Sequence, residues 1–352
     1  MVFERIKNFI SRLEGQNAQP QPQGRPDDPS NPTITLTGMV AITYRCQCKC
    51  KHCGSAFYAT KKAEEMSSQE LKDLMKQMPA VHTDTVSFFG GEPLLRDDIC
   101  DLIAFGKQQG LGTVVDTNGV ALDEPMAKRL KDAGLDMVFV SIDSANPDVH
   151  NELRGIPGLF DKAVAAINYS KKYGIHTRIA TYVDRERLNN GDFARLIDFS
   201  NKLGVELRIL LPILAGRWNE AKDVKLTPEE ILKFKSMLIP GKVYWEQEVC
   251  SSHDNNFVCA ALSRKMYYVT AYGDLTPCCY VPLSFGNIRQ EPLKTILDRM
   301  YTHPVYKNPN CNDCIMNDPE FRERYLGGFK TATTYPLIVD YSTEIPGPPC
   351  GG

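Results

Sequence analysis

Within eight consecutive residues, Cys46-Gln47-Cys48-Lys49-Cys50-Lys51-His52-Cys53, the chain carries four thiols and an imidazole. Cys46, Cys50 and Cys53 are separated by three and then two residues, and thiolates so spaced on one loop can ligate an iron-sulfur cluster. The same stretch could close a zinc site with Cys48 or His52 as fourth ligand. A second group lies far downstream, where Cys259 is followed by thirteen residues, Gly273, four residues and Cys278, and later by Cys311 and Cys314 with two residues between. Four thiolates at the ends of a hairpin and a tight turn can enclose one cluster or a four-cysteine zinc knuckle. Cys250, Cys279 and Cys350 are further ligand candidates, while Cys48 is read as a free thiol.

The 352-residue chain has twelve cysteines. Nothing in it resembles the charged, apolar and small-residue succession of a secretory signal, so a reducing, cytoplasmic setting is expected, where metal ligation explains cysteines better than disulfides do. Forty-one basic against forty-three acidic residues leave a net charge of -2. That excludes a bulk positive field for nucleic acid. A hydrophobic share of 42% supports a buried core and rules out a disordered chain, and no apolar run is long enough to cross a bilayer.

The elements that position these groups alternate. Ile34 to Tyr44, Thr85 to Phe89, Thr113 to Thr117, Met137 to Ile142, His176 to Val183 and Glu206 to Leu211 read as six strands. Between them Ser67 to Gln77, Asp97 to Gln109, Pro125 to Ala133, Phe160 to Tyr173 and Gly191 to Leu203 carry helical periodicity. Strand-helix alternation with short loops predicts an α/β fold with a parallel sheet and right-handed crossovers. Six units are too few for the usual closed eight-stranded barrel, so a partial (βα)6 TIM-like barrel is expected, with functional groups at strand C-terminal ends. Residues 34–225 form this barrel. Residues 226–352 form a small C-terminal domain, with a helix over Pro228 to Met237 and a β-hairpin, Met266 to Ala271 and Leu275 to Tyr280, around Tyr272-Gly273-Asp274. Residues 1–33 comprise an amphipathic helix, Met1 to Leu13, and a flexible polar linker.

The first cysteine group follows strand one directly. Strand two runs into Gly90-Gly91-Glu92-Pro93, where two glycines let a ligand approach the backbone and Glu92 offers an acceptor. Thr117-Asn118-Gly119 follows strand three, and Val140-Ser141-Ile142-Asp143-Ser144 lies at strand four. Over about residues 34 to 215 these motifs together resemble the radical S-adenosylmethionine (radical SAM) superfamily. The later cysteines resemble its C-terminal SPASM or "twitch" extension, which holds one auxiliary 4Fe-4S cluster.

The resemblance implies that Cys46, Cys50 and Cys53 coordinate three irons of a 4Fe-4S cluster, leaving the fourth open to the amino and carboxylate groups of S-adenosylmethionine. Reductive cleavage then yields methionine and a 5'-deoxyadenosyl radical that abstracts a substrate hydrogen. An external one-electron reductant, such as flavodoxin or ferredoxin, is implied as partner. Carried over by motif, Gly90, Gly91 and Glu92 face the methionine ammonium, Asn118 and Ser141 lie near the cofactor, His52 borders the adenine and Arg154 pairs with the cofactor carboxylate. Cys259, Cys278, Cys311 and Cys314 are the auxiliary ligands. In related peptide-modifying enzymes an aspartate acting as a base can follow the position of Cys278. Here Cys279 stands there, with Asp274, Tyr280 and Asp184 as substitutes.

Arg217 and Trp218, after strand six, either overhang the barrel mouth and bind an anion and a ring or pack into the domain boundary. Peptide, small polar metabolite and lipid remain as substrate classes, with residues 1–13 offering a membrane-peripheral or protein contact. The reading from a different class is a non-catalytic iron-sulfur or zinc-binding electron-transfer protein, which has no need of the Gly90-Gly91-Glu92-Pro93 turn.

Overall fold

The computed structural model describes residues 36–60, 63–246, 259–306, 314–326 and 335–339. Residues 1–13, with the amphipathic segment, and Cys250, Cys311 and Cys350 lie outside them. Seven strands alternate with helices: β1 (Leu36–Thr43), β2 (Thr83–Gly90), β3 (Gly112–Thr117), β4 (Met137–Ser141), β5 (His176–Tyr182), β6 (Glu206–Leu210) and β7 (Val243–Trp245). The principal helices between them are α1 (Ser68–Gln77), α2 (Ile99–Gln108), α3 (Glu124–Asp132), α4 (Pro147–Arg154), α5 (Leu159–Lys172), α6 (Arg185–Asn189), α7 (Asp192–Leu203) and α8 (Pro228–Lys235).

Local chemistry sets the helix starts. Ser67 and Glu70 form a reciprocal capping box at α1, and Thr227 and Glu230 do the same at α8, an arrangement in which the cap side chain is worth about 1 kcal/mol. Helix α4 carries Pro147 at its first position, an Asn146 side chain accepting from the Asp148 N–H, and Gly155 at φ +73° beyond its end. Each of these is a recognised boundary signal.

All seven strands are parallel to their neighbours. The hairpin strands β8 (Met266–Val269) and β9 (Leu275–Thr276) extend the sheet beyond β1, giving the order β7-β6-β5-β4-β3-β2-β1-β8-β9, with β8 parallel to β1 and β9 antiparallel to β8. The sheet stays open and curls around a cavity of about 300 Å³ reached from β2 through β6, an incomplete barrel. Two features differ from the expected six strands. Strand β7 is three residues long, too short to show a period. The first hairpin strand covers the outer edge of β1, which would otherwise be unpaired, so the C-terminal segment is stitched into the barrel's own sheet.

The core between sheet and helices includes Ile42, Val86, Leu102, Ile167, Leu196 and Ile209. A separate small cluster, Val114, Met137, Phe139 and Ala180, lies on β3, β4 and β5. Arg178, 1% exposed, donates to His176 and to the Tyr244 hydroxyl, so this sheet also buries charge. Among the described residues no helix is long and apolar enough to cross a membrane. The C-terminal portion adds α9 (Leu293–Thr302) and α10 (Pro319–Leu326).

Candidate functional site

The cysteine loop leaves β1 and is tied down from two directions. Lys49 and Lys51 N–H groups donate to the carbonyls of Arg154 (3.0 Å) and Leu153 (2.9 Å) at the end of α4. From the segment after β6, the Arg217 N–H donates to the Cys53 carbonyl at 3.0 Å and the Arg217 guanidinium to the Cys50 carbonyl at 2.7 Å. Trp218 packs edge-on against Tyr182 and near His52, so Arg217 lines the cavity while Trp218 braces the aromatic wall beside it. Gly216 makes this approach possible. A Cβ there would stand 2.1 Å from the Cys53 carbonyl oxygen, and its φ is +56°. Gly216→Ala is therefore expected to lose about 1–2 kcal/mol from the left-handed backbone alone, more from the clash, and to retain less iron per chain after anaerobic reconstitution; an unchanged melting midpoint and iron count would refute this contact.

Cys46, Cys48, Cys50 and Cys53 all line the cavity. The neighbouring Cys48 thiol, with Arg154 and Arg217, lowers Cys50 to about 6 despite burial. Among the described residues no three metal-ligating side chains converge on a single-ion position. The Cys46, Cys50 and Cys53 thiols share one cavity wall.

Glycine is obligatory at the next loop. A Cβ on Gly91 would lie 2.3 Å from the Arg45 carbonyl oxygen, and the Gly91 and Glu92 N–H groups donate to Thr43 (2.7 Å) and Arg45 (2.8 Å). Gly90 and Gly91 line the cavity. Glu92 is 0% exposed and stands behind the wall. Its carboxylate accepts from the Thr117 hydroxyl (2.7 Å), the Asn118 N–H (2.8 Å) and the Leu94 N–H (3.1 Å). Three of the roughly four acceptor positions of the carboxylate are thus filled, and Glu92 joins the loops after β2 and β3.

Burial pushes the Glu92 carboxyl up to about 7 against the pull of those donors. The folded chain thus holds a proton there that the unfolded chain has released, and the stability contributed by this group falls as pH rises from about 4.5 to about 7. The stability advantage of wild type over Glu92→Gln is expected to shrink across that window, by at most about 1.4 kcal/mol for each step of one in pH. Denaturation midpoints at pH 5 and pH 7.5 check it, and a constant difference would refute it.

Arg154 is also committed. Its guanidinium grips Asp143 at 2.6 and 3.0 Å and approaches the Cys50 sulfur at 3.9 Å. Burial would raise Asp143, yet Arg154, with His52, holds it well below the usual carboxylate range. Burial lowers His52 to about 3, leaving it a neutral ring whose centroid lies 4.1 Å from that of Tyr182, tilted by 43°, on the cavity wall. Ser141 lines the same wall, as does Asn118, whose amide lies 3.8 Å from the Cys46 sulfur.

In the second group Cys278 is pushed up to about 12 by burial and by the neighbouring Cys259. Cys314 is half-buried, and Cys311 lies outside the described residues. Adjacent residues divide here: Cys278 is grouped with Cys259, while Cys279 and Tyr280 line the cavity. Asp274 accepts from Asn287 within the hairpin turn and Asp184 caps α6, so neither lines the cavity.

Sequence reasoning missed Asp116 and Arg208, which line the same cavity. The available signal was Glu206 and Arg208 alternating with apolar residues along β6.

The "Radical SAM superfamily" description matches residues 40–200, and "Iron-sulfur cluster-binding domain" (SPASM) matches residues 259–315. The chain is similar to the AdoMet-dependent heme synthase of Methanosarcina barkeri, with 26% identity over 87% of this chain and 93% of that protein. It is also similar to the heme synthase of Nitratidesulfovibrio vulgaris, with 28% identity over 76% and 79% of the two chains. Among solved structures, anSMEcpe with bound AdoMet and a peptide superposes with a TM-score of 0.60 at 20% identity, covering 78% of this chain and 84% of that one. Streptococcus suis SuiB bound to S-adenosylmethionine gives 0.60 at 14% identity over 98% and 88%. These two likenesses establish the fold.

Proposed function

Because the chain belongs to the radical SAM superfamily and carries a SPASM-type iron-sulfur domain, an enzyme that uses 4Fe-4S clusters and S-adenosylmethionine, we propose that Cys46, Cys50 and Cys53 hold the cluster that cleaves S-adenosylmethionine and that Cys259, Cys278, Cys311 and Cys314 hold one auxiliary cluster. The observation that carries this reading is the shared wall: the first three thiols, the Gly90-Gly91 turn, Asn118 and Ser141 all open onto one cavity, which Cys279, the residue after Cys278, also lines. When bound, the cluster and S-adenosylmethionine supply a 5'-deoxyadenosyl radical on one-electron reduction.

The protein's own residues orient and seclude. Gly90 and Gly91 leave room for the methionine end against bare backbone, Asn118 and Ser141 offer hydrogen bonds, and neutral His52 with Tyr182 forms an aromatic surface for the adenine. Glu92 and Arg154 act from behind, the first by joining two loops and the second by anchoring the cysteine loop through Asp143. The position of Cys278, directly beside cavity-lining Cys279, suits an auxiliary cluster that takes an electron from a substrate radical. Arg45, Lys49 and Lys51 are exposed around the cysteine loop, a basic rim suited to an acidic one-electron donor of the flavodoxin or ferredoxin kind.

Among substrates, an iron tetrapyrrole is the first we would try, a choice supported by the similarity to heme synthases along most of both chains. The experiment is anaerobic reconstitution, iron counting and assay of 5'-deoxyadenosine with and without an iron porphyrin. Failure to cleave S-adenosylmethionine under reduction would overturn the enzyme reading in favour of a metal-binding electron carrier.

A further inference from the structure

Each of the three thiols assigned to the first cluster meets a side-chain hydrogen-bonding group, and the three groups come from different places in the fold. The Asn118 amide, after β3, lies 3.8 Å from the Cys46 sulfur. The Arg154 guanidinium, at the end of α4, lies 3.9 Å from the Cys50 sulfur. The Ser55 hydroxyl, on the cysteine loop itself, lies 3.9 Å from the Cys53 sulfur.

Other contacts aim each group. The Asn118 side-chain oxygen accepts from the Val120 N–H at 2.9 Å, which turns the amide NH2 toward Cys46 and Gln47. Arg154 uses Nε and one terminal nitrogen on Asp143 and leaves the other terminal nitrogen for Cys50. Ser55 has a single hydroxyl hydrogen and two neighbours that can accept it, the Gly90 carbonyl at 3.3 Å and the Cys53 sulfur. A thiol is a weak acceptor. A cysteine bound to iron has lost its proton, so Cys53 can then only accept, and the stronger charge-assisted bond draws the hydroxyl hydrogen to sulfur.

We propose that Asn118, Arg154 and Ser55 are positioning residues that set the reduction potential of the cluster held by Cys46, Cys50 and Cys53, raising it through one donated hydrogen bond to each ligating sulfur. This rests on the reading of those cysteines as cluster ligands and goes beyond it by giving the polar groups around them a task. A donor draws negative charge from the sulfur and so favours the reduced, electron-richer cluster. Asp143 offsets the Arg154 charge, so the guanidinium acts mainly through its bond to sulfur rather than as a free cation. A higher potential makes the cluster easier to reduce by an external one-electron donor.

The test is a redox titration of the reconstituted full chain followed by EPR. The auxiliary cluster is the internal reference, and the first cluster is identified by the change in its signal on adding S-adenosylmethionine. At a fixed potential near the wild-type midpoint, the ratio of reduced to oxidised first cluster is expected to fall at least threefold in Asn118→Ala and in Ser55→Ala. In the double variant it is expected to fall at least tenfold, which is about 59 mV for one electron. Arg154→Met combined with Asp143→Asn, which removes both charges together, is expected to lower it at least threefold. Should that pair fail to fold or to hold iron, Asn118→Ala and Ser55→Ala decide. An unchanged or higher ratio in either single variant, or an equal shift of both clusters, overturns the proposal, while a wild-type signal that responds to S-adenosylmethionine leaves the cysteine assignment standing. A wild type without iron, or without any signal that responds, sinks the cysteine assignment itself and this proposal with it.

Discussion

Alanine at Cys46, Cys50 and Cys53 together is expected to take anaerobically reconstituted protein from about eight irons per chain to about four and to reduce S-adenosylmethionine cleavage to the detection limit. Cys50→Ala alone is expected to abolish cleavage as well, because removing one thiolate leaves an iron without its protein ligand next to a guanidinium placed for a thiolate, Arg154 at 3.9 Å. The complementary variant, Cys259→Ala with Cys278→Ala, is expected to lose the other four irons and keep a cluster that still reacts with S-adenosylmethionine. Mössbauer and EPR spectra assign each loss to its group. Zinc in place of iron, or a triple variant that retains all its iron, would defeat the assignment. The two losses are separable because the groups sit on different segments, one on the loop after β1 and the other around the hairpin.

Gly91→Ala is expected to produce nearly as large an effect with every cysteine intact. The added methyl would meet the Tyr44–Arg45 backbone, at 2.3 Å from the Arg45 carbonyl oxygen and 2.7 Å from the Tyr44 carbonyl. Neither can rotate away as a side chain would. The loop after β2 must lift off the cysteine loop, and the N–H bonds from Gly91 to Thr43 and from Glu92 to Arg45 go with it. Two buried donors left unmet cost about 1–3 kcal/mol each. The variant should melt lower by roughly 2–4 °C per kcal/mol for a chain of this order of size and lose most cofactor cleavage. Wild-type cleavage together with an unchanged melting midpoint would show that the close approach is not needed.

Much of this site was legible in one dimension. The cysteine spacing, the Gly-Gly turn and the strand-helix alternation are local: each depends on residues a few positions apart, so period and composition expose them. The six expected strands all lie within observed ones or overlap them closely, since buried parallel strands are runs of apolar residues whatever surrounds them. Helix α4 was not among the expected helices, although Pro147 and Gly155 mark its two ends and so fix where Arg154 lies.

Other features depend on residues that meet only after folding. That Glu92 joins two loops shows only in its donors, the Asn118 and Leu94 N–H groups and the Thr117 hydroxyl, which meet it after folding. Whether Arg154 is a surface charge or an anchor is decided by Asp143, eleven residues earlier on another element. The pairing of β8 with β1, across more than two hundred residues, and the meeting of Arg208 with Asp116 inside the barrel leave no periodic trace. The class of chemistry and the strands that carry it could thus be read from the chain itself, because ligand type and strand pattern are written in neighbouring residues. Which polar groups face the cavity and which hold its walls emerged with the folded arrangement, because a buried polar side chain takes its role from the partners that fill its hydrogen bonds.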